Sequence, residues 1–358
     1  MISISLCMIV KNEEEVIGRC LESVKGIADE INIVDTGSID NTLEVVKKHT
    51  DRIFDFEWIN DFAAARNYSF QQATKEYILW LDADDVIQEE DRKKFLQLKK
   101  NLSPTIDSVS MEYQLAFDNQ GQVLTSLRRN RLVKRACNFK WIGAVHEYLA
   151  VGGNIEHSDV AIQHLPIEHD SNRNIEIYEA KLRRGDEFSP RDLFYFANEC
   201  KDHQQYSRAI HYYHKFLETE QGWVEDNIRA CYHIVDCYNA LGFSKQGIEW
   251  ILKTFQYDRP RAEAACRLGH FFLEKKQYEQ AIYWYRFATE YKPPSDHMAV
   301  ENVSFSTWFP HLQLCVCYDR IGDIENSYKH NEIARKYQPN NPHVLHNKTY
   351  LEERLQTK

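Results

Sequence analysis

The stretch YILWLDADD, residues 77–85, decides the fold of this chain. It begins as an apolar, β-prone run and ends in three carboxylates within four positions. Such a run predicts a buried strand of an α/β sheet, and ligands of these sheets bind beyond the carboxyl ends of the strands. At that spacing Asp82 and Asp84 need a counter-charge, for which a divalent cation is one candidate. Alternatively, Asp84 or Asp85 caps the helix predicted to start near residues 88–90.

Composition and charge exclude several classes of protein. The chain has 358 residues, enough for two domains, and its hydrophobic share of 43% indicates a globular protein. A net charge of -10 argues against a general binder of nucleic acid or anionic membranes, since neither surface attracts an acidic protein. No apolar run reaches the length of a membrane span, and Met1 leads directly into a strand-like segment without a signal peptide. We therefore expect a cytoplasmic protein with no nucleic-acid partner and no stable membrane insertion.

The cysteines agree with that compartment. There are nine of them, an odd number, and they are scattered without a C-x-x-C pair. We interpret them as reduced core residues rather than as disulfides or zinc ligands.

The sequence pattern changes near the middle of the chain. Up to about Pro166, short β-like runs alternate with helical patterns, which predicts an α/β domain with a largely parallel sheet. From about Asn172 the pattern is amphipathic and helical throughout. We expect an α/β domain over residues 1–170, a linking helix over 171–190 and an all-α domain over 191–358.

Two further segments place polar residues at the expected ligand-binding edge of the sheet. In VDTGSIDNT, residues 34–42, Asp35 ends the second strand, where it can accept from a ligand or close an Asx turn. Gly37 lets the backbone approach a ligand closely. In DFAAARN, residues 61–67, three alanines start a helix, and Arg66 then pairs with phosphate or with the acids after Leu81, or remains a surface arginine.

Four segments together carry a resemblance. CMIVKNEE (7–14), VDTGSIDNT (34–42), DFAAARN (61–67) and LDADD (81–85) resemble, in order and spacing, the family 2 glycosyltransferases. The resemblance covers about the first 165 residues and implies a GT-A fold, a Rossmann-like mixed sheet that binds a nucleotide sugar. It also implies inverting transfer from a UDP-sugar, with Mn²⁺ or Mg²⁺ stabilising the departing diphosphate.

The same resemblance implies roles for single residues. Asp35 is expected to contact uracil, while Asp82 and Asp84 hold the metal and the diphosphate, with Asp85 as an additional ligand. The predicted nucleotide-sugar-binding residues are Met8, Val10, Glu13, Asp35, Arg66, Asn67, Asp82, Ala83 and Arg173.

The later part of this domain is expected to supply the acceptor side. The segment WIGAVHE, residues 141–147, resembles the region where related enzymes place the acceptor and the general base. Glu147 is the predicted base, because a carboxylate in a partly dry cleft can accept a proton. His146 is predicted to bind the metal or the diphosphate. Alternatively, both residues only hydrogen-bond a loop.

Further candidates follow on either side of this segment. His164 resembles the family's late histidine and is predicted as a metal ligand beside Asp82, Asp84 and His146, although Leu165 and Pro166 follow it where many relatives have a glycine soon after. One or two members of a basic cluster are expected to meet a diphosphate or an acidic acceptor, and the others to be solvated. That cluster comprises Arg128, Arg129, Arg131, Lys134 and Arg135.

The second half of the chain repeats with a period near 34 residues, which is typical of tetratricopeptide (TPR) repeats. The best copies lie at residues 192–213 and 265–285, with weaker copies at 228–248 and 312–328. These predict about four helical pairs, an insertion around 293–307 and a capping helix over 343–355. Such a solenoid offers a concave surface for an extended peptide or another subunit.

Together the two halves resemble bacterial cytosolic glycosyltransferases with a TPR-like tail, including the peptide S-glycosyltransferases of bacteriocins. We therefore predict transfer of a hexose or N-acetylhexosamine from a UDP-sugar to a peptide or protein. The tail would recruit the acceptor or form a homodimer. Two alternatives stay open at this point: a transferase for a lipopolysaccharide or capsule saccharide, and an inactive nucleotide-sugar-binding scaffold.

Overall fold

The computed structural model describes residues 1–117, 121, 123–167, 172–292 and 302–356. These divide into two compact units, Met1–Asp186 and Glu187–Lys358. The helix that begins at Arg173 and ends at Arg184 lies where a linking helix is predicted, and it belongs to the first unit.

The first unit contains a mixed eight-stranded sheet of the GT-A type. Its strand order is β3-β2-β1-β4-β7-β6-β10-β5, and β8 and β9 form a separate antiparallel pair. The strands are β1 (Ile4–Val10), β2 (Glu30–Asp35), β3 (Ile53–Asp55), β4 (Tyr77–Trp80), β5 (Asp85–Val86), β6 (Ser108–Phe117), β7 (Val123–Lys134), β8 (Lys140–Ile142), β9 (Tyr148–Ala150) and β10 (Ile155–His164).

The sheet is parallel in one half and mixed in the other. Strands β3, β2, β1 and β4 are parallel, so their carboxyl ends meet at one edge. Strand β7 is antiparallel to both β4 and β6, whereas β10 is parallel to β6. The predicted hairpin of residues 108–113 and 122–124 therefore forms, while most of its predicted turn, with residue 122, lies outside the described residues.

Helices cover the sheet and bury its apolar residues. The helices are α1 (Ile17–Ser23), α2 (Thr42–Val46), α3 (Phe62–Gln71), α4 (Glu89–Asn101) and α5 (Arg173–Arg184). All four residues of β4 are buried, as the apolar run predicts. The core around them includes Leu6, Leu79 and Phe95, each fully buried.

The second unit consists of antiparallel helix pairs. The helices are α6 (Pro190–Asp202), α7 (Tyr206–Glu218), α8 (Val224–Ala240), α9 (Ser244–Lys253), α10 (Ala262–Glu274), α11 (Tyr278–Glu290), α12 (Trp308–Arg320), α13 (Ile324–Tyr337) and α14 (Pro342–Gln356). The four predicted pairs are α6/α7, α8/α9, α10/α11 and α12/α13, each packed together, and α14 packs on α13 as the capping helix. Most of the predicted insertion, residues 293–301, lies outside the described part of the chain.

Small residues allow these helices to approach closely. At Gly269 on α10, a Cβ atom would meet the Tyr285 ring of α11 at 2.8 Å. All nine cysteines are free, and eight of them are buried, as the sequence predicts. Within the described ranges, no helix is both long and apolar enough to cross a membrane.

Candidate functional site

The acidic loop after β4, residues 81–85, is organised around Asp85. Its Oδ2 accepts from the Asp82 backbone N–H at 2.9 Å and lies 3.1 Å from Arg131 Nη1. Its Oδ1 accepts from the Tyr113 hydroxyl at 2.9 Å. The following helix begins at Glu89 with Gln88 as its N-cap, so neither Asp84 nor Asp85 caps it. The carboxylates of Asp84 and Asp85 therefore belong to the loop at the carboxyl end of β4, which is where α/β sheets bind ligands.

Arg131 supports this loop from inside the sheet. Its side chain is completely buried, and its guanidinium carbon lies 3.9 Å from the Trp80 ring centroid and 4.2 Å from that of Tyr113. A cation between two aromatic rings is stabilised by their negative faces. Because Asp85 is also completely buried, the two charges compensate each other in a place where either alone would be costly.

His164 brings a second ligand type to the acidic loop. Its Nδ1 lies 3.3 Å from Asp84 Oδ1 and 3.4 Å from Asp85 Oδ1. Burial lowers the pKa of His164, but the two carboxylates outweigh burial and raise it to about 9. One ligand atom from each of the three residues fits within 4.8 Å, an arrangement that could hold a metal ion.

The donor atoms of this cluster fit a divalent cation. His164 Nδ1 is buried and forms no well-aligned hydrogen bond in the described residues, although two carboxylates lie beside it. Asp85 is already occupied by Tyr113, Arg131 and the Asp82 N–H, whereas the Asp84 carboxylate lies beside His164 alone among the described ion pairs. Asp84 and His164 are therefore the members of this cluster with ligand atoms open to an ion, and Asp85 supports them. Carboxylate together with imidazole suits Mn²⁺ better than Mg²⁺, which prefers oxygen ligands.

Asp82 and Glu147 share Arg66. Arg66 Nη2 donates to Asp82 Oδ1 at 2.6 Å, and Nε donates to Glu147 Oε1 at 2.5 Å. Burial raises the pKa of Asp82, but the charges of Arg66 and Arg131 outweigh burial and hold that pKa well below its usual range. In the structure, Asp85 rather than Asp82 or His146 joins Asp84 and His164. The reason is that Asp85 lies opposite His164 in the register of β5 and β10, whereas Arg66 engages Asp82.

Arg66 is held in place by two tryptophans. Its guanidinium carbon lies 5.3 Å from the Trp80 ring and 4.8 Å from the Trp141 ring. Asn67 fixes Trp141 by accepting from its backbone N–H at 2.9 Å and donating to its carbonyl at 3.0 Å. The Asn67 amide is thus used to position the 141–147 segment, which is not the donor contact that the sequence predicts for it.

Glu147 has one oxygen beyond the ion pair. Its side chain is 12% exposed, and within the described residues Oε2 accepts no hydrogen bond. The preceding His146 adopts a left-handed backbone conformation with φ 51°. This unusual turn directs the chain from β8 toward β9 and brings Glu147 beside Arg66.

The second strand's loop is built on Asp35. Its carboxylate accepts from the backbone N–H groups of Gly37 at 3.2 Å and Ser38 at 3.1 Å, which is the geometry of an Asx turn. Gly37 has φ 101°, a conformation that favours glycine. The turn accounts for Asp35, and a contact between Asp35 and uracil remains a prediction.

Three of the predicted donor-binding residues lie in the core. Met8, Val10 and Ala83 are 0%, 3% and 5% exposed. Their side chains pack in the main hydrophobic cluster of the sheet. A contact between these residues and the donor remains a prediction. An apolar residue at a strand end gives the same sequence pattern whether its side chain packs in the core or faces a ligand.

Glu13 and Arg173 lie on the other side of the acidic loop. Burial and the charge of Asp84 raise the pKa of Glu13 to about 7, and Arg173 opposes this shift. The Arg173 guanidinium carbon lies 4.7 Å from the Phe62 ring centroid at the start of α3. Glu13 and Arg173 therefore lie close enough to the predicted metal ligands for their charges to interact.

Three residues have a larger part in the site than the sequence indicates: Asp85, Tyr113 and Arg131. Tyr113 gives no signal beyond its place in a β-like run. Arg131 does give one, because a charged residue that directly precedes the apolar pair Leu132 and Val133 in a strand is unusual.

Comparison with known families identifies the first domain. Residues 5–149 match the family model described as glycosyl transferase family 2. These residues therefore form a family 2 glycosyltransferase domain, and the chain joins it to a domain of repeated helix pairs.

Individual relatives agree with that assignment. The chain is 30% identical to the SPbeta prophage-derived glycosyltransferase SunS of Bacillus subtilis over 231 residues, 61% of this chain and 54% of SunS. It is 26% identical to the lipopolysaccharide core biosynthesis glycosyltransferase LpsC of Rhizobium meliloti, over 42% of this chain and 58% of LpsC. A TPR repeat-containing protein of Synechococcus elongatus is 45% identical over 85 residues, 24% of this chain and 21% of that protein. The chain thus spans about half or less of the length of SunS and of the Synechococcus protein.

Among solved structures, the TPR protein YrrB aligns with 50% of this chain and 84% of its own, with a TM-score of 0.38 and 16% sequence identity.

Proposed function

We propose that this protein transfers a hexose or N-acetylhexosamine from a UDP-sugar to a peptide or protein. The observation that carries this proposal is the convergence of Asp84 and His164 at the carboxyl end of β4, within a domain of glycosyl transferase family 2. The similarity to SunS supports a glycosyl transfer reaction. The donor nucleotide, the metal and the acceptor are the parts of the proposal that need experiment.

Asp84 and His164 would hold a divalent cation, Mn²⁺ or Mg²⁺, next to the donor diphosphate. Such an ion supplies electrostatic stabilisation of the negative charge that develops on the leaving group. The chain's own cations act in the same direction, since Arg66 pairs with Asp82 and Arg131 pairs with Asp85, which fixes both carboxylates.

Glu147 is the proposed general base. In one displacement, an acceptor oxygen or sulfur forms a bond to the anomeric carbon, the bond from that carbon to the diphosphate oxygen breaks, and UDP leaves with the electron pair. The acceptor proton passes to Glu147 Oε2, while Oε1 stays hydrogen-bonded to Arg66. Attack from the side opposite the leaving group inverts the anomeric configuration.

The helical unit is proposed to recruit the acceptor or to form a homodimer. Stacked helix pairs present extended surfaces that suit peptides and protein partners. Several aromatic side chains on this unit are solvent-exposed, among them Tyr283 (64%) and Trp223 (52%). These rings are available for such contacts.

A saccharide acceptor is the second candidate. The similarity to LpsC, whose name assigns it to lipopolysaccharide core biosynthesis, favours this alternative.

An inactive scaffold is less consistent with the site. Buried charges are costly to maintain, and here they surround two ligand atoms that could bind a metal.

The test is a transfer assay. The purified chain is incubated with UDP-hexoses or UDP-N-acetylhexosamines and with peptide or oligosaccharide acceptors. Each reaction is run with Mn²⁺ and with EDTA, and the masses of the products are measured by mass spectrometry. We expect a metal-dependent mass increase of one sugar on a peptide. Transfer only to oligosaccharides would favour the second candidate. No transfer from any of these donors, or equal transfer in Mn²⁺ and in EDTA, would contradict the proposal.

A further inference from the structure

Strand β7 contains three arginines close together, Arg128, Arg129 and Arg131, and each has a different environment. Arg128 donates to Ser110 Oγ at 3.0 Å, to the Ser110 carbonyl at 2.7 Å and to the Ser158 carbonyl at 2.6 Å. It therefore ties β7 to β6 and β10. Arg131 is buried beside Asp85 between two rings, as described above. Both of these guanidinium groups have structural partners.

Arg129 is different. Its side chain is half-buried, and in the described part of the chain its guanidinium donates no hydrogen bond and forms no ion pair. The group lies over the Tyr113 ring, with its guanidinium carbon 5.2 Å from the ring centroid. Stacking on an aromatic ring holds an arginine in place while leaving its N–H donors free to bind something else.

Tyr113 connects Arg129 to the acidic loop. The Tyr113 hydroxyl donates to Asp85, and its ring centroid lies 5.4 Å from that of His164. Arg131 stacks on the same tyrosine. Arg129 and Arg131 therefore lie against the same ring. Arg128 instead donates hydrogen bonds to Ser110 and Ser158.

The charges around Arg129 favour an anion. Burial and the positive charge of Arg131 lower the pKa of Arg129, and the nearby Asp82 only partly opposes this. A half-buried guanidinium beside other cations is stabilised when an anion binds to it. The planar fork of an arginine matches the oxygens of a phosphate group.

We propose that Arg129 binds the diphosphate of the nucleotide-sugar donor, on the side of the site formed by Tyr113. This inference rests on the proposed function, because it takes the donor to be a UDP-sugar. It separates the arginines of the β7 cluster by role: Arg128 joins strands, Arg131 supports Asp85, and Arg129 contacts the substrate.

The experiment compares UDP with uridine. Binding of each ligand in Mn²⁺ is measured by calorimetry or ligand-observed NMR for wild type, Arg129→Gln and the control Arg128→Gln. We expect Arg129→Gln to weaken UDP binding by about 10- to 100-fold, as expected for losing a charged hydrogen bond to phosphate, and to leave uridine binding unchanged. Arg128→Gln is expected to lower thermal stability while keeping the wild-type ratio of UDP to uridine affinity.

Several outcomes overturn the inference. Wild-type affinity of Arg129→Gln for UDP would remove Arg129 from the diphosphate site. Equal losses for UDP and uridine would show a general effect on the domain. If the wild type itself binds UDP no better than it binds uridine, the UDP-sugar proposal fails, and the role of Arg129 fails with it.

Discussion

The two domains use buried charge differently. In the first unit, charged groups from the loop after β4 and from β5, β7, β10 and α3 meet in one place, around Asp84 and Asp85. In the second unit, charged pairs are spread along the helices. Arg267 lies 2.6 Å from Asp236 and 2.8 Å from Glu263, and Arg261 makes a similar set of contacts with Glu225 and Asp258. Charge is concentrated at the candidate site in the first unit and joins helices in the second.

Two histidines show the same contrast. His164 lies between two carboxylates, which outweigh burial and raise its pKa to about 9. His233 on α8 lies 3.8 Å from a single carboxylate, Asp236, and burial lowers its pKa. Proximity of one acid to a histidine is common in a helical bundle. Two acids directed at one buried nitrogen indicate a place for a cation.

The largest expected effect separates chemistry from packing. Glu147→Gln should lower transfer by roughly 10²–10⁴-fold, because the amide cannot accept the acceptor's proton. UDP binding should be unchanged, since the amide oxygen still accepts from Arg66. The matched control, Glu263→Gln in the helical unit, should leave the rate of transfer near that of wild type. Steady-state rates and UDP titrations measure both. A near-normal rate for Glu147→Gln would assign the base to another carboxylate.

The buried cation of the first unit should matter more for stability than its counterpart in the second. Arg131→Met leaves Asp85 buried without its cation and should cost about 3–5 kcal/mol of unfolding free energy. Arg267→Met should cost only about 1–2 kcal/mol, because its partner Asp236 can be hydrated. Denaturant unfolding measured by tryptophan fluorescence compares the variants. Equal costs would show that burial does not distinguish the two domains.

A pH effect is expected in the helical unit. His311 Nδ1 and His330 Nδ1 lie 2.8 Å apart, and burial together with His311 lowers the pKa of His330 to about 4. Its ordinary pKa is higher, at 6.5, so the unfolded chain binds the proton first. The contribution of His330 to stability is thus complete above pH 6.5 and should be lost as pH falls to about 4. The loss should be on the order of 1–2 kcal/mol after allowance for partial exposure.

His330→Gln checks this effect. Thermal unfolding of this variant between pH 7 and pH 4 should show a smaller fall in stability than wild type. If the stability of this variant falls with pH as steeply as that of wild type, a group other than His330 is responsible.

The smallest effect concerns the helix crossings. Gly269→Ala places a methyl group against the Tyr285 ring and should destabilise the helical unit by about 1 kcal/mol, the overpacking cost less the better helix propensity of alanine. In Gly247→Ala the nearest atom to the new methyl group is Val235 Cγ1 at 3.1 Å, the end of a single side chain, so this variant should be nearly neutral. Calorimetric unfolding distinguishes the two. A stabilised Gly269→Ala variant would show that the crossing is looser than described.

Local patterns predict much of this molecule. The apolar run before Asp82, the hairpin strands and the repeated helix pairs are all visible in short windows of sequence, because each depends on neighbours in the chain. The proximity of Arg66 to the acids after Leu81 also follows from the strand and helix pattern.

Long-range pairing accounts for what the sequence does not reveal. Arg131 and Tyr113 reach Asp85 only because β7 and β6 lie between β4 and β10, an order that no local pattern contains. The same pairing makes Asp85 rather than Asp82 the neighbour of His164. Asn67 could be a donor contact by sequence, and only the folded chain shows that Trp141 takes both ends of its amide.

The most direct test of the central claim is calorimetric titration of UDP into the full chain, with Mn²⁺ and with EDTA, for wild type and Asp84→Ala. We predict that wild type binds UDP only with the metal and that Asp84→Ala loses this binding while unfolding at nearly the wild-type temperature. Equal binding of UDP in EDTA, or unchanged metal-dependent binding by Asp84→Ala, would contradict the assignment of Asp84 and His164 as the metal site.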